Sequence, residues 1–350
     1  SARILAKMHK AIVVLGFKLE SQLIDRHGEY EADYLDKWSR IHFDRGFAYL
    51  NETFYPLQDT YFPTVDKKNP NALSDDEVDL METLANEFMH SAKLKAHVEF
   101  LITHGSMYLT NNGNLLFHGC IPMEKNGRLS KMFGRDGKEL LDYFDKLVRE
   151  AYYAHEEKQR QKLSDIYWYL SCGKKSPIFG KADILTFEKY FIKDYPGTEE
   201  LNPYFTLSDQ VAYATRILEE FGFYGPESRI INGHMPVKLK EGESPLRAEK
   251  KRIVIDGGIC RAYQKVTGIA GYTLIYNSHG MKLIGHQMFT SKDEAIHNDF
   301  DIVHSKEYLD GLGKRWSVAD TDQGKRIQNN MNDLWALLQA YRSGLLKSKE

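Results

Sequence analysis

The chain has 350 residues, of which 42% are hydrophobic and 27% charged. That is ordinary globular composition and excludes collagen-like, mucin-like and disordered classes. Lys and Arg total 47 against 49 Asp and Glu, a formal charge of −2 with an isoelectric point near 6.7, so the surface lacks the field that grips a phosphate backbone; this argues against a nucleic-acid partner and leaves room for a local basic pocket.

Ile4, Met8, Ile12, Leu15, Leu19 and Leu23 recur at three- and four-residue spacings and predict an amphipathic helix over 3–26. The apolar run Ala11–Phe17 inside it is far shorter than the ~20 residues that span a bilayer. No small-residue cleavage site follows the early charges, so neither a signal peptide nor a membrane anchor is expected. Asp25-Arg26-His27-Gly28 reads as the end of this helix. Aromatic-rich runs on either side of Asn51-Glu52 predict a hairpin over 41–55, with Asp44-Arg45-Gly46 as a turn. Ser74-Asp75-Asp76-Glu77 has the pattern of a capping box opening a helix through about His90. A third helix is expected from Ser91 to Thr103, stopped by Gly105.

The texture then changes. Ser106–Thr110, the turn Asn111-Asn112-Gly113 and Asn114–His118 read as strand, turn and strand, because Asn-Gly suits the positive φ of a type I′ turn. Residues 138–163 are expected to be helical, 172–183 a loop rich in Gly, Pro and Lys, and 183–194 and 208–222 helical again. Arg229–Asn232 and Arg252–Asp256 read as strands, with a polar loop over 238–244 between them. Ile269–Tyr276 and Met281–Met288 read as a further hairpin. The end, about 323–346, is an amphipathic helix with Met331, Leu334, Trp335, Leu338, Tyr341 and Leu345 on one side. The expected organisation is a mainly helical insertion at 1–104, core strands at 105–137, a helical insertion with a basic loop at 138–207, core strands at 208–290 and a helical tail at 291–350.

Two histidines stand apart. His118 and His234 each sit at the C-terminal end of an apolar strand beside a glycine. Strand ends are rigid enough to hold a metal ligand, the glycine permits close approach, and neutral imidazole binds Mn, Zn and Fe. Taken singly, each reads first as a satisfied polar residue at a strand end; it is the pair in matching contexts that brings a metal site level with that reading. A dinuclear hydrolytic centre would also need carboxylates holding two ions ~4 Å apart. The basic loop Cys172–Lys181, with Lys174, Lys175 and Lys181, reads either as a phosphate site built from glycine N–H groups and ammonium charges or as a solvated turn. Asp256, in Asp256-Gly257-Gly258, reads as a ligand or as a residue capping the following loop. Cys120, Cys172 and Cys260 are odd in number and far apart, which fits no disulfide framework and suits a reduced, cytoplasmic compartment. Cys120 and Cys172 lack an adjacent histidine, so a thiol nucleophile is not expected.

The stretches Leu116–Pro122, Asn232–Val237 and Val254–Gly258 resemble the last two metal-ligand motifs and closing strand of the calcineurin-like metallophosphatases. Ala6–Ala11, Phe17–Glu20, Gly105–Leu109, Ser176–Lys181, Ala262–Gln264, Thr267–Ser278 and Ala340–Gly344 resemble, more narrowly, the class 3 fructose-1,6-bisphosphatases of Firmicutes and related bacteria. The resemblance implies an α/β fold, namely the C-terminal part of a four-layer α/β/β/α metallophosphatase sandwich with helical insertions. It implies a dinuclear, usually manganese-dependent centre with His118 and His234 on one ion. The reaction would be hydrolysis of the 1-phosphate of fructose 1,6-bisphosphate in gluconeogenesis by a metal-bound hydroxide. Lys181 would stand where the protein phosphatases carry a phosphate-clamping arginine, and Arg261, Tyr263 and Gln264 would line the sugar pocket. The family's first three metal motifs and its general-acid histidine do not occur in this chain, so it reads as the C-terminal portion of a longer enzyme whose missing N-terminal segment completes the site. The rivals are another metallophosphoesterase, such as a protein or dinucleotide phosphatase, and a non-catalytic regulatory module. A homo-oligomer is left open.

Overall fold

The computed structural model describes residues 1–299, 302–310 and 315–347. The chain is mixed α/β, as expected, and divides into two compact units. The first comprises Ser1–Met107 and Cys120–Phe205; the second comprises Tyr108–Gly119 and Thr206–Glu350.

In the first unit, α1 (Ala2–Arg26) buries only Leu15 and Leu23 of the predicted stripe, joined by Val14 and Ile24, whereas Ile4, Met8 and Ile12 are exposed. It serves two cores. One gathers Val14, Trp38, Leu50, Phe187 and Phe191; the other gathers Leu23, Ile24, Tyr30, Phe144, Tyr169 and Leu170. The predicted hairpin is a three-stranded antiparallel sheet, β1 (Ile41–His42), β2 (Phe47–Leu50) and β3 (Thr53–Pro56). Asp44-Arg45-Gly46 is the turn between the first two strands, where Gly46 N donates to His42 O at 2.9 Å. The capping box forms as read: α2 (Asp75–His90) starts with Glu77 N donating to Ser74 Oγ while the Glu77 carboxylate accepts from Ser74 N. α3 (Ala92–His104) ends at Gly105. The single helix expected over 138–163 is two, α4 (Gly137–Tyr153) and α5 (Glu157–Cys172), interrupted at 154–156. The helix expected over 183–194 shrinks to α6 (Thr186–Phe191), and α7 (Tyr204–Leu207) is a single turn.

Lys18 is fully buried, which the amphipathic pattern does not announce. Its ammonium donates to Glu77 Oε2 at 2.7 Å and to Thr64 O at 2.8 Å, satisfying a charge that would otherwise be costly to desolvate.

In the second unit, β4 (Tyr108–Asn111) and β5 (Asn114–Phe117) form the predicted hairpin, with Asn112 at φ 48° and Gly113 at φ 79°. α8 (Val211–Glu220) precedes β6 (Ile230–Asn232), and β7 (Leu246–Arg247) precedes β8 (Arg252–Val254). The five strands lie in the order β4-β5-β6-β8-β7. β5, β6 and β8 are mutually parallel, with Leu115 opposite Ile230 and Ile230 opposite Arg252, and antiparallel strands form both edges. These central strands are short and apolar because both faces are covered.

A short helix absent from the sequence reading, α9 (Arg261–Thr267), leads to β9 (Gly271–Asn277) and β10 (Gly280–His286), the predicted second hairpin. α10 (Lys292–His297) and a third strand, β11 (Val303–Tyr308), follow, and β11 pairs antiparallel with β10. This sheet packs on the first through Met281, Leu283 and Leu309 against Ile231 and Ile253. The predicted terminal helix is α11 (Asp322–Arg342). Within the tail expected over 291–350, residues 300–301, 311–314 and 348–350 lie outside those described. No described helix is long and apolar enough to cross a membrane.

Candidate functional site

Three parallel strands deliver the site. β5 ends at Phe117 and hands on to His118; β6 ends at Asn232 and hands on to Gly233-His234; β8 leads to Asp256-Gly257-Gly258. Phe117 is in register with Asn232, so the two histidine segments leave the sheet side by side at its C-terminal edge. Gly233 N donates to His118 O at 3.0 Å, extending the ladder past the strand ends.

His118 Nε2 and His234 Nδ1 approach to 3.1 Å, with ring centroids 5.0 Å apart and planes at 83°. Two ring nitrogens at this distance share one proton between donor and acceptor, or turn both lone pairs on one cation. With metal–nitrogen bonds of about 2.1 Å, nitrogens 3.1 Å apart subtend about 95° at the ion, the angle of two adjacent ligands. The pair therefore fits two positions on one divalent ion. Among the described residues no group of three or more His, Cys, Asp or Glu side chains is placed to hold a metal, so these residues do not supply a dinuclear set.

The backbone at His234 is unusual. Its φ is 70°, in the left-handed region, and Met235 N donates to Gly233 O at 2.9 Å across it. This is the strained form of the γ-turn, rare for a residue with a side chain. The turn is held from below by groups the sequence reading did not single out. The buried Asn232 donates through Nδ2 to Gly119 O at 3.1 Å and accepts at Oδ1 from Arg252 Nε at 3.1 Å. Arg252, also buried, donates to Ser208 Oγ at 2.8 Å and to Asp209 Oδ1 at 2.7 Å. Asn232 thus ties the exit of β5 to the exit of β6. The available signal was a polar residue closing an otherwise apolar strand.

Asp256 caps its own loop. Its Oδ1 accepts from Gly258 N at 2.9 Å, and its carbonyl accepts from Val237 N at 2.8 Å. Its carboxylate also lies beside Gly233, where a methyl group added to the glycine would stand 3.8 Å from Oδ2. Gly257 and Gly258 are required by close approach: a side chain on Gly257 would meet the Gly271 backbone at 2.7 Å, and Gly258 has φ 66°. Arg261, Tyr263 and Gln264 all fall on α9, directly after this turn. Arg261 and Tyr263 are exposed, and Arg261 has no ion-pair partner among the described residues; the Gln264 amide is spent on Ile259 O at 2.6 Å.

The lysines of the basic loop belong to the other unit. Each ammonium is already engaged there. Lys174 lies over the Tyr34 ring at 5.0 Å, Lys175 pairs with Glu31 at 2.6 Å, and Lys181 pairs with Glu199 at 2.5 Å. The Lys175 and Lys181 partners are held in the ionised form, with pKa values below the ordinary carboxylate value because of these same bonds. An anion arriving at either lysine would displace a carboxylate. The loop itself is fixed from inside: buried Ser176 donates to Leu170 O and accepts from Ile178 N and Phe179 N.

The chain is an α/β protein with paired imidazoles at the C-terminal edge of parallel strands, the edge at which open α/β sheets commonly hold their ligands. Comparison with known proteins narrows that class. The family model for Firmicute fructose-1,6-bisphosphatase matches residues 1–343, and the chain belongs to that family. It is 47% identical over 351 residues to the fructose-1,6-bisphosphatase class 3 of Fusobacterium nucleatum, covering 99% of this chain and 54% of that protein. It is 46% identical over 353 residues to the protein of the same name from Clostridium botulinum strain Langeland, covering 99% and 53%. The chain thus spans about half the length of the curated relatives it matches. No solved structure matches.

Proposed function

We propose that the chain takes part in hydrolysing the 1-phosphate of fructose 1,6-bisphosphate at a dinuclear manganese centre to which it contributes His118 and His234. The observation that carries this reading is the 3.1 Å approach of His118 Nε2 to His234 Nδ1 on adjacent parallel strand ends. Family membership supports the substrate class. Bound divalent ions would supply activation of water and screening of phosphoryl charge. This chain's own part is positional: Asn232 and Arg252 fix the two exits, and the γ-turn aims one imidazole at the other. Arg261 and Tyr263, exposed after the glycine turn, would meet the substrate. Carboxylate ligands and the general acid would come from polypeptide outside this chain, acting with it in the cytoplasm.

The test separates binding from turnover. Manganese titrated into the full chain, followed by the loss of the free-ion electron paramagnetic resonance signal, should show binding that falls at least about tenfold in His118→Ala and in His234→Ala. Unchanged binding in both variants would end the metal assignment. Phosphate release from fructose 1,6-bisphosphate, a phosphopeptide and diadenosine tetraphosphate, with and without the N-terminal portion of a class 3 relative, then tests the substrate. Release from the sugar bisphosphate only when both portions are present is the expected result. Full turnover by this chain alone would refute the shared site. A metal-binding chain that restores nothing would favour the regulatory module.

A further inference from the structure

We propose that α11 is a self-association surface whose partner is a second copy of this chain. The helix is pinned at one end. Thr321 Oγ1 accepts from Gly324 N at 3.0 Å, and Asn112 Oδ1 in the β4–β5 turn accepts from Asp322 N at 2.9 Å. Beyond that first turn every residue from Lys325 to Gln339 is exposed. Most of a protein helix's stability comes from packing its apolar face, and among the described residues of its own unit nothing covers that face of this 21-residue helix.

The face has a definite geometry. Ile327, Met331, Leu334, Leu338 and Tyr341 are spaced by four, three, four and three residues. That is the 3.5-residue period of a helix–helix seam, which turns a straight helix continuously toward another helix. Trp335 and Leu337 flank the seam and widen it, as in a helical bundle. Leu334 is 65% and Trp335 61% exposed. The opposite face carries Asn329, Asn332, Asp333, Ala336 and Gln339, all polar or small.

Two observations select a second copy as the occupant. First, the positions flanking the seam between Ile327 and Tyr341 are Gln328, Asn330, Trp335 and Leu337, none of them charged. Helices that choose a different partner do so through complementary charges at these positions, whereas an uncharged flank lets identical helices meet without repulsion. Second, these half-exposed large side chains present on the order of the ~800 Å² per partner that a stable interface buries.

Sedimentation equilibrium of the full chain over an about hundredfold concentration range tests the proposal. The expected result is a mass of at least two chains at the upper end. Leu334→Glu with Leu338→Glu should weaken association by about 100-fold or more, whereas Asn332→Glu with Gln339→Glu, on the opposite face, should leave it unchanged. A wild-type chain that is monomeric throughout the range, or a seam variant with wild-type mass, overturns the proposal. Tryptophan emission gives a check that needs no destabilising change. Association should bury Trp335 and shift emission to shorter wavelength with concentration, and Trp335→Phe should remove that shift. A concentration-independent spectrum also overturns the proposal.

Discussion

Glu20 offers a sharp test of the packing around α1. It lines a groove with Arg26, Asp165, Trp168 and Cys172, and its Oε1 accepts from Trp168 Nε1 at 3.1 Å. Burial is the largest influence on its carboxyl. The Trp168 bond and Lys37 partly offset that, while Asp36 and Asp183 add to it, and the pKa is pushed up from 4.5 to about 7. A raised carboxyl pKa means that the folded chain holds the proton more tightly than the unfolded chain. The stability this confers is fully present below pH 4.5 and is lost as pH rises through about 7. The displacement is worth about 3 kcal/mol in the limit of high pH. Glu20→Gln keeps the acceptor oxygen for Trp168 and removes the ionisation. Urea unfolding followed by tryptophan fluorescence should therefore give nearly equal stabilities at pH 4. At pH 8 the Gln variant should be the more stable by up to about 3 kcal/mol. Glu77 works in the opposite direction in both proteins. Burial would raise its pKa, but bonds from Lys18, Thr64 and Ser74 hold it below the ordinary value, so its contribution is lost as pH falls. Parallel pH profiles for the wild type and Glu20→Gln would refute the reasoning.

Two further outcomes concern the second unit. Gly257→Ala places a methyl group 2.7 Å from the Gly271 backbone and should cost about 2 kcal/mol or more by thermal unfolding, while Gly233→Ala, whose nearest new neighbour is 3.6 Å away, should cost less than about 1 kcal/mol. Arg252→Met removes a buried cation from Asn232, Ser208 and Asp209; chemical denaturation should show a loss of about 3 kcal/mol, and an unchanged midpoint would mean that the network is not structural.

Much of the local structure is legible because its causes are local. The capping box at Ser74 and the type I′ turn at Asn112-Gly113 depend on residues within a few positions of one another. The candidate histidines are legible for the same reason, each marked by its own strand and glycine. What escapes is what depends on distant partners. Lys18 looks like a surface residue until Glu77, 59 positions away, is brought to it. β11 joins β10 only through pairing, and α9 starts at Cys260 without a capping side chain to announce it. Nothing in Lys175 or Lys181 alone reveals that Glu31 and Glu199 already occupy their ammonium groups. The meeting of His118 with His234 depends on the parallel register of β5 and β6, which no local pattern encodes.

That register has a kinetic corollary. The partner strands Leu115 and Ile230 are neighbours in the sheet, yet the intervening chain is roughly 110 residues long and includes all of Cys120–Phe205. On the ribosome, β5 emerges and must wait without its neighbour until the whole of that segment has followed it. Because closing so large a loop must precede any reward from strand pairing, assembly of the central sheet should be the late, slow event in maturation of this chain.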